Sequence, residues 1–206
     1  MGMQQISRHQ CLIYEGPPTA HLQSIVSLIR QKLDENYRCL YLNSPPMVAG
    51  LRSYLFAGGV DVPKEVMKGS LVLSSDQGHL HGRGFDVNRM LDILNEAAEQ
   101  ATKEGYDGIW ATGDMTWEFG PEKDFPKLLE YEWGLEELFS RQPSLSGICQ
   151  YHTDTLPPEI VKHGLLSHQT IFINETLSRL NPHYTPRESF NGHAKDKDID
   201  DMLQCL

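Results

Sequence analysis

The chain has 206 residues, 39% of them hydrophobic, and a mean hydropathy of −0.42, enough for one soluble domain with a sizeable core. Its 28 acidic residues outnumber 18 basic ones, and the formal charge of −10 repels polyphosphate backbones. No basic cluster with interleaved aromatics offsets that repulsion, so no direct nucleic-acid partner is expected. No apolar run approaches the ~20 residues that cross a bilayer, and Met1-Gly2-Met3-Gln4-Gln5 lacks a signal-peptide core; no membrane association and a cytoplasmic location are expected.

Strands with apolar centres alternate with helix-period segments, the pattern of an α/β domain, and five or six strands are predicted. The first runs from Gln10 to Tyr14 and ends at Glu15; after it, Thr19 is placed to cap a helix with Leu22, Ile25, Val26, Ile29 and Leu33 on one face. Arg38 to Asn43 forms the second strand, followed by a helix over Met47 to Phe56 that stops at Gly58-Gly59 and by a loop or short helix from Val60. Ser70 to Asp76 is the third strand. Asp86 then caps a helix whose buried face is Met90, Leu91, Leu94, Ala97, Ala98 and Ala101, ended by Gly105.

The fourth strand, Gly108 to Thr112, leads into Gly113-Asp114-Met115-Thr116-Trp117. Pro126 opens a helix with Leu128, Leu135, Leu138 and Phe139 as its inner stripe, and Gly147 to Tyr151 is the fifth strand. Pro157-Pro158-Glu159 starts a short helix, Thr170 to Asn174 reads as another strand, and Asn181 to Tyr184 leaves the fold. The remainder, 185–206, is a polar tail whose Ile199, Met202, Leu203 and Leu206 share a face that could dock on the domain or on a second copy.

Most strands end in polar or ionisable residues, and in an open parallel sheet such ends converge on one crevice where ligands bind. Tyr14, Trp110, Trp117, Phe119 and Tyr151 supply aromatic walls suited to a small organic ligand, although core packing explains any one of them equally well. The first loop, Glu15-Gly16-Pro17-Pro18-Thr19-Ala20-His21, occupies the place of a nucleotide-binding loop but has no Gly-Lys-Ser/Thr. Its prolines remove two amide donors and Glu15 repels phosphate. Asp114 and Asp76 end strands where a magnesium-holding carboxylate would sit; a turn role for Asp114 is the equal alternative.

Glu132 falls between Leu128 and Leu135 on the buried stripe, with Glu130, Glu136 and Glu137 outside. A carboxylate there must be protonated, hydrogen-bonded or paired, as a structural anchor or as a pocket group. The pairs His9 with Cys11, His79 with His81 and Cys149 with His152 lack the convergent spacing of a metal site, so no metal is expected. The distant cysteines Cys11, Cys39, Cys149 and Cys205 suggest no disulfide framework, and no hydrolase nucleophile stands out. The glycine-rich loop over residues 78–84 suits a lid and a plain surface loop alike.

His9-Gln10-Cys11-Leu12-Ile13-Tyr14-Glu15, Gly84-Phe85-Asp86, Gly105-Tyr106-Asp107-Gly108, Gly113-Asp114-Met115-Thr116-Trp117, Tyr131-Glu132, Cys149-Gln150-Tyr151 and His168 together resemble the MEDS sensory domain of methanogen and methylotroph regulators. The resemblance implies a RecA/KaiC-like (P-loop NTPase-like) core that has lost its phosphate loop, and a role in binding small hydrocarbon derivatives. Family members usually join this domain to an output module, for which the chain has no room, so output through a protein partner or through the tail is expected. Where the family often carries Arg, this chain has Trp110, and its loop near residue 79 is richer in histidine.

The combined expectation is a degenerate RecA/KaiC-like three-layer α/β fold, a mainly parallel sheet flanked by helices, with one domain over 1–184 and the tail over 185–206. Its function would be non-enzymatic sensing of a small organic ligand in signalling or transcriptional regulation, through Tyr14, Glu15, Asp114, Trp117, Glu132, Tyr151 and His168. No cofactor is expected, and self-association is left open. The rivals are a nucleotide- and magnesium-binding relative using Asp76, Asp114 and Glu132, and a ligand-free protein-interaction module.

Overall fold

The computed structural model describes residues 7–75, 85–118 and 125–190, with the side chains of Trp117, Glu118 and Pro126 outside the description. Strands β1 (His9–Tyr14), β2 (Tyr37–Leu42), β3 (Leu71–Ser74), β4 (Gly108–Asp114), β5 (Leu145–His152), β6 (Thr170–Asn174) and β7 (Leu177–Leu180) form one sheet in the order β3-β2-β4-β5-β1-β6-β7. Every neighbouring pair is parallel except β6 with β7. The result is a mixed, mostly parallel α/β sheet in three layers, as the sequence predicts.

Helices α1 (Leu22–Asp34), α2 (Pro45–Ala57) and α3 (Val62–Lys68) cover one face, where Ile25, Ile29, Leu51, Leu55 and Val62 meet Leu12, Cys39, Tyr41, Trp110 and Ile148. The other face carries α4 (Val87–Lys103), α6 (Pro126–Arg141) and α7 (Pro158–Ser167), which pack Met90, Leu94, Leu128, Leu135 and Leu165 against Cys11, Ile109, Cys149 and Tyr151. A four-residue helix, α5 (Met115–Glu118), follows β4 directly. The layering follows from crossover handedness: the chain moves from β1 to β3 toward one edge, then returns through β4, β5 and β6. Right-handed crossovers travelling in opposite directions must place their helices on opposite faces.

Local chemistry explains most boundaries. Asp61 caps α3 and Asp86 caps α4 by accepting the Lys64 and Arg89 amides at 3.1 and 3.0 Å. Thr19, expected to cap the first helix, instead lies within a 3-10 turn at Pro18–His21 that follows Pro17, and α1 starts after it with no side-chain cap.

The seventh strand escaped prediction because Leu177–Leu180 is a short, largely exposed edge hairpin arm without core periodicity. Asn181, expected to leave the fold, is buried, and its side-chain amide donates to the Leu165 and His168 carbonyls. Residues 185–190 run back over α6: the Thr185 amide donates to the Leu166 carbonyl at 2.8 Å, and the Phe190 ring lies 5.0 Å from that of Trp133. Asp76, the loop over 78–84, Phe119 and the terminal Ile199–Leu206 face lie outside the described residues.

Candidate functional site

Period-two alternation along the strands sorts their side chains by face. Toward α1–α3 point Cys39, Tyr41 and Asn43 after β2, Trp110, Thr112 and Asp114 on β4, Ile148, Gln150 and His152 on β5, and Leu12 and Tyr14 on β1. Each series runs from an apolar base to a polar top. Adjacent strands β1 and β5, like β2 and β4, send their following helices to opposite faces, the topology at which open α/β sheets commonly place a ligand crevice.

At those ends the Tyr14 hydroxyl lies 3.5 Å from Asp114 Oδ2, and the Tyr14 ring stacks on His152 with centroids 4.8 Å apart. His21 packs edge-on against the same ring at 4.6 Å. Asn43 donates to the Tyr41 hydroxyl at 3.1 Å. Burial and the Asp114 carboxylate together raise both tyrosine pKa values, so the phenols stay neutral donors.

The first loop is already filled by the protein itself. Gly16 takes a left-handed conformation, φ +81°; its amide donates to Asp154 Oδ2 at 3.0 Å, and its carbonyl accepts from His152 Nε2 at 2.8 Å. A carboxylate thus stands where a phosphate cradle would offer an amide.

The opposite face holds a second, sealed cluster around Glu132, whose side chain has 0% exposure. His9 Nε2 lies 3.2 Å from Glu132 Oε2, His168 Nε2 lies 3.4 Å from the same oxygen, and Cys149 Sγ sits 3.5 Å from both Glu132 Oε2 and His9 Nε2. The Tyr151 hydroxyl donates to Glu132 Oε1. Behind the ring of His9, Nδ1 meets Glu136 at 2.9 Å; behind that of His168, Nδ1 donates to the Gly164 carbonyl at 2.6 Å.

Burial by itself would lower the His9 pKa, but hydrogen bonds to Glu132 and Glu136 overcome it and lift the value to about 9. Burial and the nearby His9 charge push His168 down to about 3. For Glu132, burial favours the neutral acid, while the His168 and His9 imidazoles and the Tyr151 hydroxyl favour the anion, and the net direction is down. His168 is neutral near pH 7, so His9 supplies the cation beside Glu132. Burial and Glu132 raise the Tyr151 pKa, keeping its proton available to the carboxylate.

A cavity of about 30 Å³ adjoins this cluster, walled by Leu94, Ala111, Met115, Tyr131, Leu135 and Cys149 among others. Cys11, Cys39 and Cys149 are thiols rather than disulfides.

The predicted site residues therefore divide. Tyr14 and Asp114 meet at the strand tops, with Glu15 exposed on the rim; Glu132, Tyr151 and His168 meet under α6, on the other side of the sheet. Trp117 belongs to α5, its side chain beyond description. Trp110 sits low on the α1 face, bordering a cleft with Lys32, Tyr37 and Ser146, and is no strand-top wall. Glu136, expected outside the buried stripe, is only 17% exposed and holds His9. The sequence reading omitted Asn43, His21 and His152 from the crevice and His9, Cys149 and Glu136 from the buried cluster. Two-residue alternation back from Tyr151 would have found Cys149.

The model of the MEDS family, described as the methanogen/methylotroph, DcmR sensory domain, matches residues 8–169. The chain belongs to the MEDS family. Both clusters fall within this MEDS segment, from His9 to His168. No curated protein matches the chain. Among solved structures it is similar to an uncharacterized protein from Pyrococcus horikoshii, determined in complex with an unknown peptide, with 13% identity and a TM-score of 0.59. The match covers 82% of this chain and 77% of that one, and it shows a shared fold. Among the described residues, no helix of this MEDS protein is long and apolar enough to cross a membrane.

Proposed function

We propose that this MEDS domain is a non-enzymatic sensor that takes a small organic ligand at the carboxyl ends of β1, β2, β4 and β5 and passes the signal to a protein partner. The observation that carries this reading is the convergence of Tyr14, Asn43, Asp114 and His152 where neighbouring strands send their helices to opposite faces. Stacked rings provide an apolar wall, and neutral phenols beside a carboxylate orient a polar group, the usual composition of small-molecule sites. The RecA/KaiC-like ancestry belongs to the same proposal: Asp114 ends the strand that would hold magnesium, while Asp154 occupying the Gly16 amide disfavours a nucleotide.

Binding transmits a signal only if the ligand prefers one conformation. The test is thermal unfolding of the purified protein against Mg-ATP and a panel of small apolar and halogenated organic compounds. A compound at 100 times its dissociation constant should add ~2.7 kcal/mol of stability. The reading requires a shift with an organic compound that disappears in Asp114→Asn and Tyr14→Phe proteins that still fold. A shift with Mg-ATP alone replaces it with the nucleotide reading.

A groove of about 500 Å³ between α4 and α6, lined by Asn88, Asp92, Glu130, Glu137, Arg141 and Arg187 among others, favours a protein contact there as the second reading. The peptide bound to the Pyrococcus protein makes that groove worth testing by cross-linking.

A further inference from the structure

We propose that His9, Glu132, Cys149 and His168 form a closed tetrahedral site for one divalent zinc-class ion. Their four potential donor atoms lie within 4.8 Å of one another, and all four residues are buried. Four of the six distances between those donors are 3.2, 3.4, 3.5 and 3.5 Å. A tetrahedron with bonds of about 2.0 to 2.3 Å has edges of roughly 3.3 to 3.8 Å, so four of its edges are already near length, and the other two, no longer than 4.8 Å, would close on binding.

The orientation of the histidines is a second, independent indication. His168 donates from Nδ1 to the Gly164 carbonyl, which leaves Nε2 a bare lone pair. That Nε2 is buried, has no hydrogen-bond partner, and faces an oxygen of Glu132 3.4 Å away. Two acceptors facing each other in a fully buried site call for a cation between them. His9 is held in the same manner, its Nδ1 on the Glu136 carboxylate and its Nε2 toward the centre. Imidazoles fixed from behind by a carbonyl and a carboxylate are the usual outer support of metal ligands.

The donor set of two nitrogens, one carboxylate oxygen and one sulfur selects zinc or a neighbouring transition ion over magnesium or calcium. Binding displaces the proton between His9 Nε2 and Glu132 and the Cys149 thiol proton, both released to solvent. The ion would tie α6 to β1, β5 and the link between α7 and β6, a closed arrangement suited to structure rather than catalysis. The site stands apart from the strand-top crevice, so it survives or falls independently of the ligand reading.

The experiment loads chelator-treated protein with zinc or with cobalt(II). One equivalent per chain is expected, with a raised unfolding midpoint for zinc. For cobalt, the expected signature is a thiolate charge-transfer band together with the visible absorption of tetrahedral cobalt. Cys149→Ser should abolish the charge-transfer band, and His168→Gln should weaken binding at least tenfold. Folded wild-type protein that takes up no metal, or a cobalt spectrum unchanged by Cys149→Ser, overturns the assignment.

Discussion

The strand-top crevice and the Glu132 cluster are built from similar residue types, histidines, tyrosines and carboxylates, on opposite faces of one sheet. They differ in access to water. Asp114 keeps 8% exposure at the end of β4, whereas Glu132, His9 and His168 have none. Charges at an edge can rehydrate when a partner is lost, so such a site can exchange one ligand for another. A sealed charge must be matched within the fold, and each missing partner is felt as lost stability. Hence the crevice is suited to recognition and the cluster to holding the sheet and α6 together.

The sharpest way to break this contrast is Glu132→Ala. It leaves the buried His9 cation without its central partner and should cost about 3–5 kcal/mol, read as a lower urea midpoint at unchanged slope. A variant as stable as the parent would mean that the cluster is not sealed. Next in size, Tyr151→Phe removes a hydrogen bond to a charged group and should cost about 1.5–3 kcal/mol by the same measurement.

Gly164→Ala tests the cluster through its packing. An added Cβ would lie 2.4 Å from Tyr151 Cζ, with ring carbons at 2.5 and 2.8 Å, so the ring that reaches Glu132 must shift. Overpacking of this kind costs about 1–3 kcal/mol. In contrast, Asp114→Asn should change stability by about 1 kcal/mol or less while abolishing the organic-ligand shift. A large loss of stability there would erase the distinction between the regions.

Acid and base should also separate the two histidines of the cluster in chelator-treated protein. Folded His9 keeps its proton up to about 9, against 6.5 for an ordinary histidine, so its contribution is complete below pH 6.5 and is lost as pH rises toward 9. His168 is lowered to about 3: the unfolded chain takes a proton below pH 6.5 that the folded chain refuses, so stability also falls as pH drops from 6.5 toward 3. Urea unfolding across this range should give a maximum near pH 6.5, with Glu132→Gln flattening the alkaline arm. An alkaline arm that persists in that variant would place the proton elsewhere.

Sequence by itself determined the layering, six of the seven strands among the described residues, the Asp86 cap and the burial of Glu132, because each is written in periods of two or 3.6 residues and in local capping chemistry. It also carried the family, through short motifs spread from His9 to His168. Tertiary structure alone decided that the chosen residues form two sites instead of one. Tyr14 ends β1 and Tyr151 is the last residue but one of β5, yet one faces Asp114 and the other Glu132, since the two strands are in register at Tyr14 with His152, and Tyr151 lies one residue earlier. A shift of one residue reverses the face of the sheet. The Glu132 cluster likewise draws His9, Cys149 and His168 from positions far apart in the chain, and no local spacing records that they meet.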